Sequence, residues 1–169
     1  MVIGVMSDTH GNRPLMHAVA AHLCGKLGAG LLFHLGDDYR DAVELAEAGY
    51  EMRMVPGLWC PEYHDFRIPR RIVEDIEGVS VACAHADRDL RAATFAAAVI
   101  LTGHTHVPRI ERVGFSLYVN PGHLKARSDR GAFPTFAGVD IGSDVVVARI
   151  YDMDWRVCDE KRVLRGELA

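Results

Sequence analysis

The sequence predicts an α/β fold with a mixed sheet or two packed sheets, on three observations. The first half alternates short apolar runs with helix-forming segments. The second half is a series of short apolar runs, several separated by Gly-containing turns. Carboxylates and imidazoles, rather than ordinary loop residues, follow many of these runs.

The alternation begins at once. Val2–Met6 is an apolar run ending at Ser7-Asp8 and reads as a buried strand. Asn12 as a capping side chain and Pro14 in the first turn start a helix. Leu15, Val19 and Leu23 continue it at helical spacing, and Gly28 and Gly30 end it. Residues 31–35 form a second strand ending at Gly36-Asp37, residues 41–48 a second helix, and residues 51–55 a third strand ending at Pro56-Gly57. This βαβαβ beginning predicts parallel strands with helices over them. Beyond it, Arg71–Ile76 and Val79–Ala84 flank Glu77-Gly78 as a hairpin, residues 91–98 are Ala-rich and helical, and Val99–Thr102 ends in Gly103-His104. Runs at Arg109–Val113, 116–119, 135–141, Val145–Tyr151 and 156–163 predict a mainly antiparallel remainder. No repeat, linker or low-complexity segment divides residues 1–169, so one domain is expected.

Composition excludes several function classes. The 169 residues are 49 % hydrophobic and carry a formal net charge of −4. That length suffices to bury roughly two-thirds of the surface an unfolded chain exposes. An acidic chain has no general attraction for nucleic acid or an anionic membrane. Positive charge for a phosphate ligand must then be supplied locally, and bound metal is one source. No run of 18 apolar residues exists that would span a membrane. The start, MVIGVMSDTHGN, lacks the basic stretch of a signal peptide. Cys24, Cys60, Cys83 and Cys158 show no C-x-x-C spacing, and Cys24 and Cys83 sit in apolar runs as small core residues. Reduced thiols and a cytoplasmic location are expected.

Asp8, Asp37, His85, His104 and Asn120 each follow a predicted strand. In open α/β sheets, strand C-terminal ends share one edge where ligands bind, so residues distant in sequence converge there. Carboxylate and neutral imidazole are ligands for Zn²⁺, Mn²⁺, Fe and related ions. The Asp8-Thr9-His10 pair can aim two side chains at one ion, and Gly103-His104-Thr105-His106 can do the same if extended. Each residue has a bland alternative: Asp8 as a helix cap, Asp37-Asp38 as a solvated turn, His85 as a hydrogen-bonded core histidine. His17 and His22 read as surface or packing residues of the first helix, and His34 as core.

The set Asp8-Thr9-His10-Gly11-Asn12, Gly36-Asp37, His85, Gly103-His104-Thr105-His106 and Asn120-Pro121-Gly122 resembles the calcineurin-like metallophosphoesterases, in particular the small bacterial and archaeal phosphodiesterases. The resemblance implies a four-layer αββα sandwich with two mixed β-sheets and a dinuclear centre at their strand ends. One metal would take Asp8, His10, Asp37 and His106. The other would take Asp37, His85 and His104, with Asp37 bridging. Asp37, His85 and His104 are implied as catalytic. The cofactors implied are two divalent transition metal ions (Mn, Fe, Zn, Ni or Co), and the activity is hydrolysis of a small phosphodiester or phosphomonoester by a metal-bound hydroxide. Strand edges in this class often pair, which leaves a homo-oligomer open.

The chain departs from the family at one ligand. The second metal's usual asparagine after glycine is Leu58 here, which cannot bind metal. Cys60, Glu62 or His64 could substitute, with Cys60 buried beside Trp59 as the alternative. Water could complete the site. Or the protein binds rather than cleaves, as a non-catalytic metal-binding interaction module like the retromer scaffold subunit of the same fold. The usual H-G-H reads His85-Ala86-Asp87, and the usual N-P-G-S reads Asn120-Pro121-Gly122-His123. Asn120 and His123 are candidate substrate contacts, His123 being equally readable as a surface residue. Arg13, Lys125 and Arg127 are either substrate-facing charge or solvated surface.

Overall fold

The structure is a computed structural model that describes residues 1–90 and 96–169. Two mixed sheets pack face to face. The first has the order β11-β10-β9-β1-β2-β3 and the second β4-β5-β6-β8-β7. Their strands are β1 (Val2–Met6), β2 (Ala29–His34), β3 (Met52–Met54), β4 (Arg71–Ile76), β5 (Val79–Ala84), β6 (Val99–Thr102), β7 (Arg109–Val113), β8 (Ser116–Asn120), β9 (Phe136–Ile141), β10 (Val145–Tyr151) and β11 (Val157–Leu164). Helices α1 (Arg13–Gly25) and α2 (Tyr39–Glu47) pack on the first sheet.

The βαβαβ beginning forms as predicted, with β1, β2 and β3 parallel. The antiparallel expectation for the remainder holds for β9, β10 and β11. It fails in the second sheet, where β5, β6 and β8 run parallel and only the edge strands β4 and β7 are antiparallel. The cause is burial on both faces. β5, β6 and β8 are near-continuous apolar segments, the composition of buried parallel strands. Connections long enough to cross over precede β6 and β8.

Alternation along β1 explains the layers. Ile3 and Val5 face the second sheet and join Leu31, Phe33, Val81, Cys83, Leu101, Leu117 and Val119 in the core between sheets. Met6 faces the other way, with Leu32, toward Met16, Val19 and Leu23 of α1 and Leu45 of α2. Gly4 lies on that helical side. A Cβ there would meet Leu32 Cδ2 at 2.6 Å and Leu23 Cδ1 at 2.8 Å, so the missing side chain lets α1 sit close to β1. Each fully buried Leu, Ile, Val or Phe contributes about 1.5–3 kcal/mol relative to exposure. On the outer face of the second sheet, Ala82, Ala84 and Ile100 pack on Leu90 and Ala97. The helix expected at 91–98 falls largely on residues 91–95, outside the described residues, and residues 96–98 are not helical.

Smaller differences have local causes. α1 ends at Gly25, and β2 begins at Ala29 because the ladder pairs Ala29 with Val2. Asn12 precedes α1 but makes no capping bond. Its Nδ2 instead donates to Leu124 O at 2.8 Å, tying the helix start to the loop after β8. Glu77 and Gly78 both have positive φ, 54° and 75°, as a two-residue hairpin turn of matching twist requires. No helix among the described residues is long and apolar enough to cross a membrane. The C-terminal ends of β1, β2, β5 and β6 lead into Asp8, Asp37, His85 and His104, and β8 ends on Asn120.

Candidate metal centre

Five residues at these strand ends hold left-handed backbone: Asp8 (φ 54°), His10 (47°), Asp37 (36°), His104 (67°) and His106 (64°). Non-glycine residues there cost on the order of 1–3 kcal/mol each and concentrate where a site is held in place. Backbone bonds hold them, Asp8 N donating to Gly36 O at 2.8 Å and His10 N to Asp37 O at 3.2 Å. The Gly103–His106 stretch is therefore not extended, the condition on which the sequence would aim both its imidazoles at one ion. Left-handed turns at His104 and His106 still deliver both rings to the strand-end edge.

Asp8 is fully buried. Its Oδ2 accepts from Ser7 Oγ at 2.5 Å and from the His104 N–H at 3.0 Å, while His106 Nε2 lies 3.0 Å from Oδ1. Burial pushes this carboxyl up, but His106, His85 and Ser7 hold it below the usual carboxylate range. His85 is fully buried and its Nδ1–H donates to Leu35 O at 2.7 Å. That fixes the tautomer. The Nε2 lone pair then has no hydrogen-bond partner and lies 3.7 Å from Asp37 Oδ2. His10 Nε2 is 3.9 Å from the same oxygen and 3.4 Å from His106 Nε2. His106 Nδ1 donates to the Asp129 carboxylate. Burial lowers the His10 and His104 rings, favouring their neutral forms, whereas the hydrogen bond with Asp8 raises His106.

This donor set fits a divalent cation. An orphaned buried polar atom costs about 1–3 kcal/mol, and ligating histidines characteristically give their other N–H to a carbonyl or carboxylate, as His85 and His106 do. Two triplets have ligand atoms all within 4.8 Å of one another: Asp8, His10 and His106, and Asp8, Asp37 and His85. The expected sets shared Asp37. In this geometry Asp8 is common to both triplets, because its buried carboxylate sits between His106 and His85. His104 belongs to neither; its half-buried ring lies 5.0 Å from that of His85 and borders a cleft of about 440 Å³.

The substitute candidates separate. Cys60 is buried with Sγ 3.9 Å from Asp37 Oδ1, but Trp59 points into solvent and does not bury it. Glu62 pairs with Arg40 at 3.6 Å, and exposed His64 stands edge-on to Tyr63 at 5.5 Å. Among the described residues neither contacts the cluster, so of the three candidates Cys60 is the one that reaches it. Asn120 Nδ2 donates to Gly103 O at 2.8 Å and its Oδ1 accepts from Gly122 N at 2.9 Å, bracing the loop that carries His104 and His106. His123 is fully buried rather than a surface residue, with its ring 5.4 Å from that of His106. Arg13 pairs with Asp41 and Glu44, Lys125 with Asp129, and Arg127 is exposed. Among the other histidines, His17 bonds Glu44, His22 stacks on Trp155 at 4.2 Å, and His34 is buried.

Ser7, Asp41 and Asp129 are supporting residues that the sequence reading missed. Asp41 is buried and accepts from Thr9 Oγ1 at 2.7 Å and Gly11 N at 2.9 Å, fixing the loop between Asp8 and α1. Its helical first-turn position and the polar loop around Asp129 look like solvated surface in sequence, so no signal distinguished them. Gly57 did carry one, as a glycine at a strand end. A Cβ there would fall 1.6 Å from Asp37 Oδ1, so the close approach excludes any side chain.

The first 144 residues match the family model described as the calcineurin-like phosphoesterase superfamily domain. Among solved structures, a predicted phosphoesterase from Streptococcus pneumoniae TIGR4 is 26 % identical, with a TM-score of 0.76 over 97 % of each chain. Yfce, a phosphoesterase from E. coli, is 22 % identical with a TM-score of 0.74, covering 95 % of this chain and 98 % of that one. Wild-type Vps29 from Entamoeba histolytica complexed with Zn²⁺ is 16 % identical with a TM-score of 0.69, covering 98 % of this chain and 99 % of that one. At these identities the latter two establish likeness of fold. No significant match occurs among curated protein sequences.

Two outcomes follow from the geometry. Burial lowers the His34 pKa from 6.5 to about 4, with Asp41 and Asp8 opposing it. The unfolded chain therefore takes up this proton first, and stability falls as pH drops from about 6.5 to about 4, by roughly 3 kcal/mol at most. Urea unfolding with chelator present should show this loss, and His34→Gln should flatten it. Asp129→Asn keeps the shape beside His106 but removes the charge. Chelator competition should find divalent-metal affinity about 10–100-fold weaker; a change under about twofold would contradict the role given to Asp129.

Proposed function

The chain belongs to the calcineurin-like phosphoesterase superfamily, and on that premise we propose that it is a metal-dependent hydrolase of small phosphodiesters or phosphomonoesters. The reading takes two divalent transition ions, manganese among the candidates, held by Asp8, His10, Asp37, His85, His104 and His106. One observation carries it. The His85 Nε2 lone pair is buried, unpartnered and turned toward Asp37, with its tautomer fixed by Leu35 O. Divalent ions held there supply Lewis acidity toward a phosphoryl group and make water nucleophilic at neutral pH. The protein's part is positioning. Asp8 and Asp37 contribute negative charge, His85 and His106 present nitrogens whose far sides are anchored, and His104 faces the cleft where an ester would lie.

We take residues 1–169 as one domain, since a common core joins both sheets. The free thiols Cys24, Cys60, Cys83 and Cys158 suit a reducing, cytoplasmic setting. One observation favours a second reading. Leu58 puts an apolar side chain where a polar ligand is expected, which suits a metal-binding interaction module that does not turn over.

With added Mn²⁺, the purified protein should cleave an aryl phosphodiester or monoester, and Asp37→Ala should reduce this to background. Activity surviving both Asp37→Ala and exhaustive chelation would contradict the hydrolase reading. Tight metal binding without turnover across a broad ester panel would select the module.

A further inference from the structure

Leu58 and Trp59 lie between β3 and the short turn Pro61–His64, next to the metal-ligand cluster but not part of it. Leu58 is half-buried, whereas Trp59 is 87 % exposed. An indole left that open gains little from burial within its own chain. Both side chains line the cleft of about 440 Å³ that is also bounded by His104, Thr105 and Arg88. Pockets for small organic ligands occupy about 300–1,000 Å³. Because His104 lines the cleft and its ring lies 5.0 Å from that of His85, a molecule with its phosphoryl group at the cluster would place its organic group along Leu58 and Trp59.

We propose that this cleft binds the organic group of the phosphate ester, that it selects a flat aromatic group, and that Leu58 and Trp59 determine that selectivity. The proposal rests on the phosphoesterase reading for the phosphoryl end of the ligand. Trp59 offers a broad π face, and aromatic rings stack on such faces more favourably than burial alone explains. Leu58 offers no hydrogen-bonding group, so it gives a hydroxyl-rich group such as a sugar or polyol nothing in return for lost water. Arg88 adds a planar guanidinium that both stacks on rings and attracts phosphate charge. The leucine that removes a ligand from the cluster thus also forms an apolar wall for the substrate.

The test uses the full chain loaded with Mn²⁺. Trp155→Phe leaves Trp59 as the only indole, since the chain has two tryptophans. Phenylphosphonate and methylphosphonate share a phosphoryl group on a C–P bond that phosphoester hydrolysis does not break. Phenylphosphonate should quench Trp59 fluorescence and bind about tenfold more tightly than methylphosphonate. Trp59→Ala removes an exposed side chain, so it should fold, with circular dichroism as the check. Calorimetry should find its two affinities within about twofold of each other. Equal affinities in the parent protein, or a preference that survives Trp59→Ala, would overturn the assignment. The two readings fail separately. A Trp59-dependent phenyl preference without hydrolysis of any ester keeps the cleft and removes the hydrolase. Hydrolysis without a phenyl preference does the reverse.

Discussion

Two carboxylates and three imidazoles meet at the strand ends, and buried acceptor atoms among them are turned toward one another. His85 Nε2 faces Asp37 Oδ2 at 3.7 Å, and neither His85 Nε2 nor the buried Asp8 Oδ1 has a hydrogen-bond partner. Such groups repel in a dry site unless positive charge lies between them. The anchoring is all on the far sides: Leu35 O behind His85, Asp129 behind His106, and Ser7 with the His104 N–H behind Asp8. A proton shared between His106 and Asp8 can supply some of that charge, which is why His106 is raised and Asp8 lowered. Family membership and the Asp–His donor set make a divalent ion the stronger candidate.

The fold serves this constraint. Parallel strands in both sheets end at one edge, and the left-handed residues that follow turn their side chains inward. Gly36, Gly57 and Gly103 leave no room for a Cβ against His85, Asp37 and Ser7, so backbone comes within contact of the cluster. The same closeness lets Asp41 knit Thr9, Gly11 and Arg13 into one support beneath the Asp8 loop.

Much of this was legible in the sequence because it depends on local pattern. Apolar runs ending in Asp or His located β1, β5 and β6, and the order of D-x-H and G-H-T-H pointed to the family. Direction in the second sheet was misread, although the near-unbroken apolar stretches of β5, β6 and β8 carried the signal. Strand limits such as Ala29 follow from pairing with β1 rather than from apolarity. Asp41 and Asp129 were not readable, because a polar residue becomes a brace only when tertiary structure brings it to its partner. The turns at His104 and His106 were not readable either, since neither is glycine.

Leu58 lines the cleft beside the cluster and offers no atom that can hold a metal. The most direct measurement is anomalous diffraction at the zinc edge from crystals grown with Zn²⁺. It should place an ion about 2.0–2.1 Å from His85 Nε2, with a carboxylate oxygen of Asp37 or Asp8 in the same coordination sphere. Crystals that give no anomalous peak at His85 Nε2, with Leu35 O still accepting from Nδ1, would contradict the central claim.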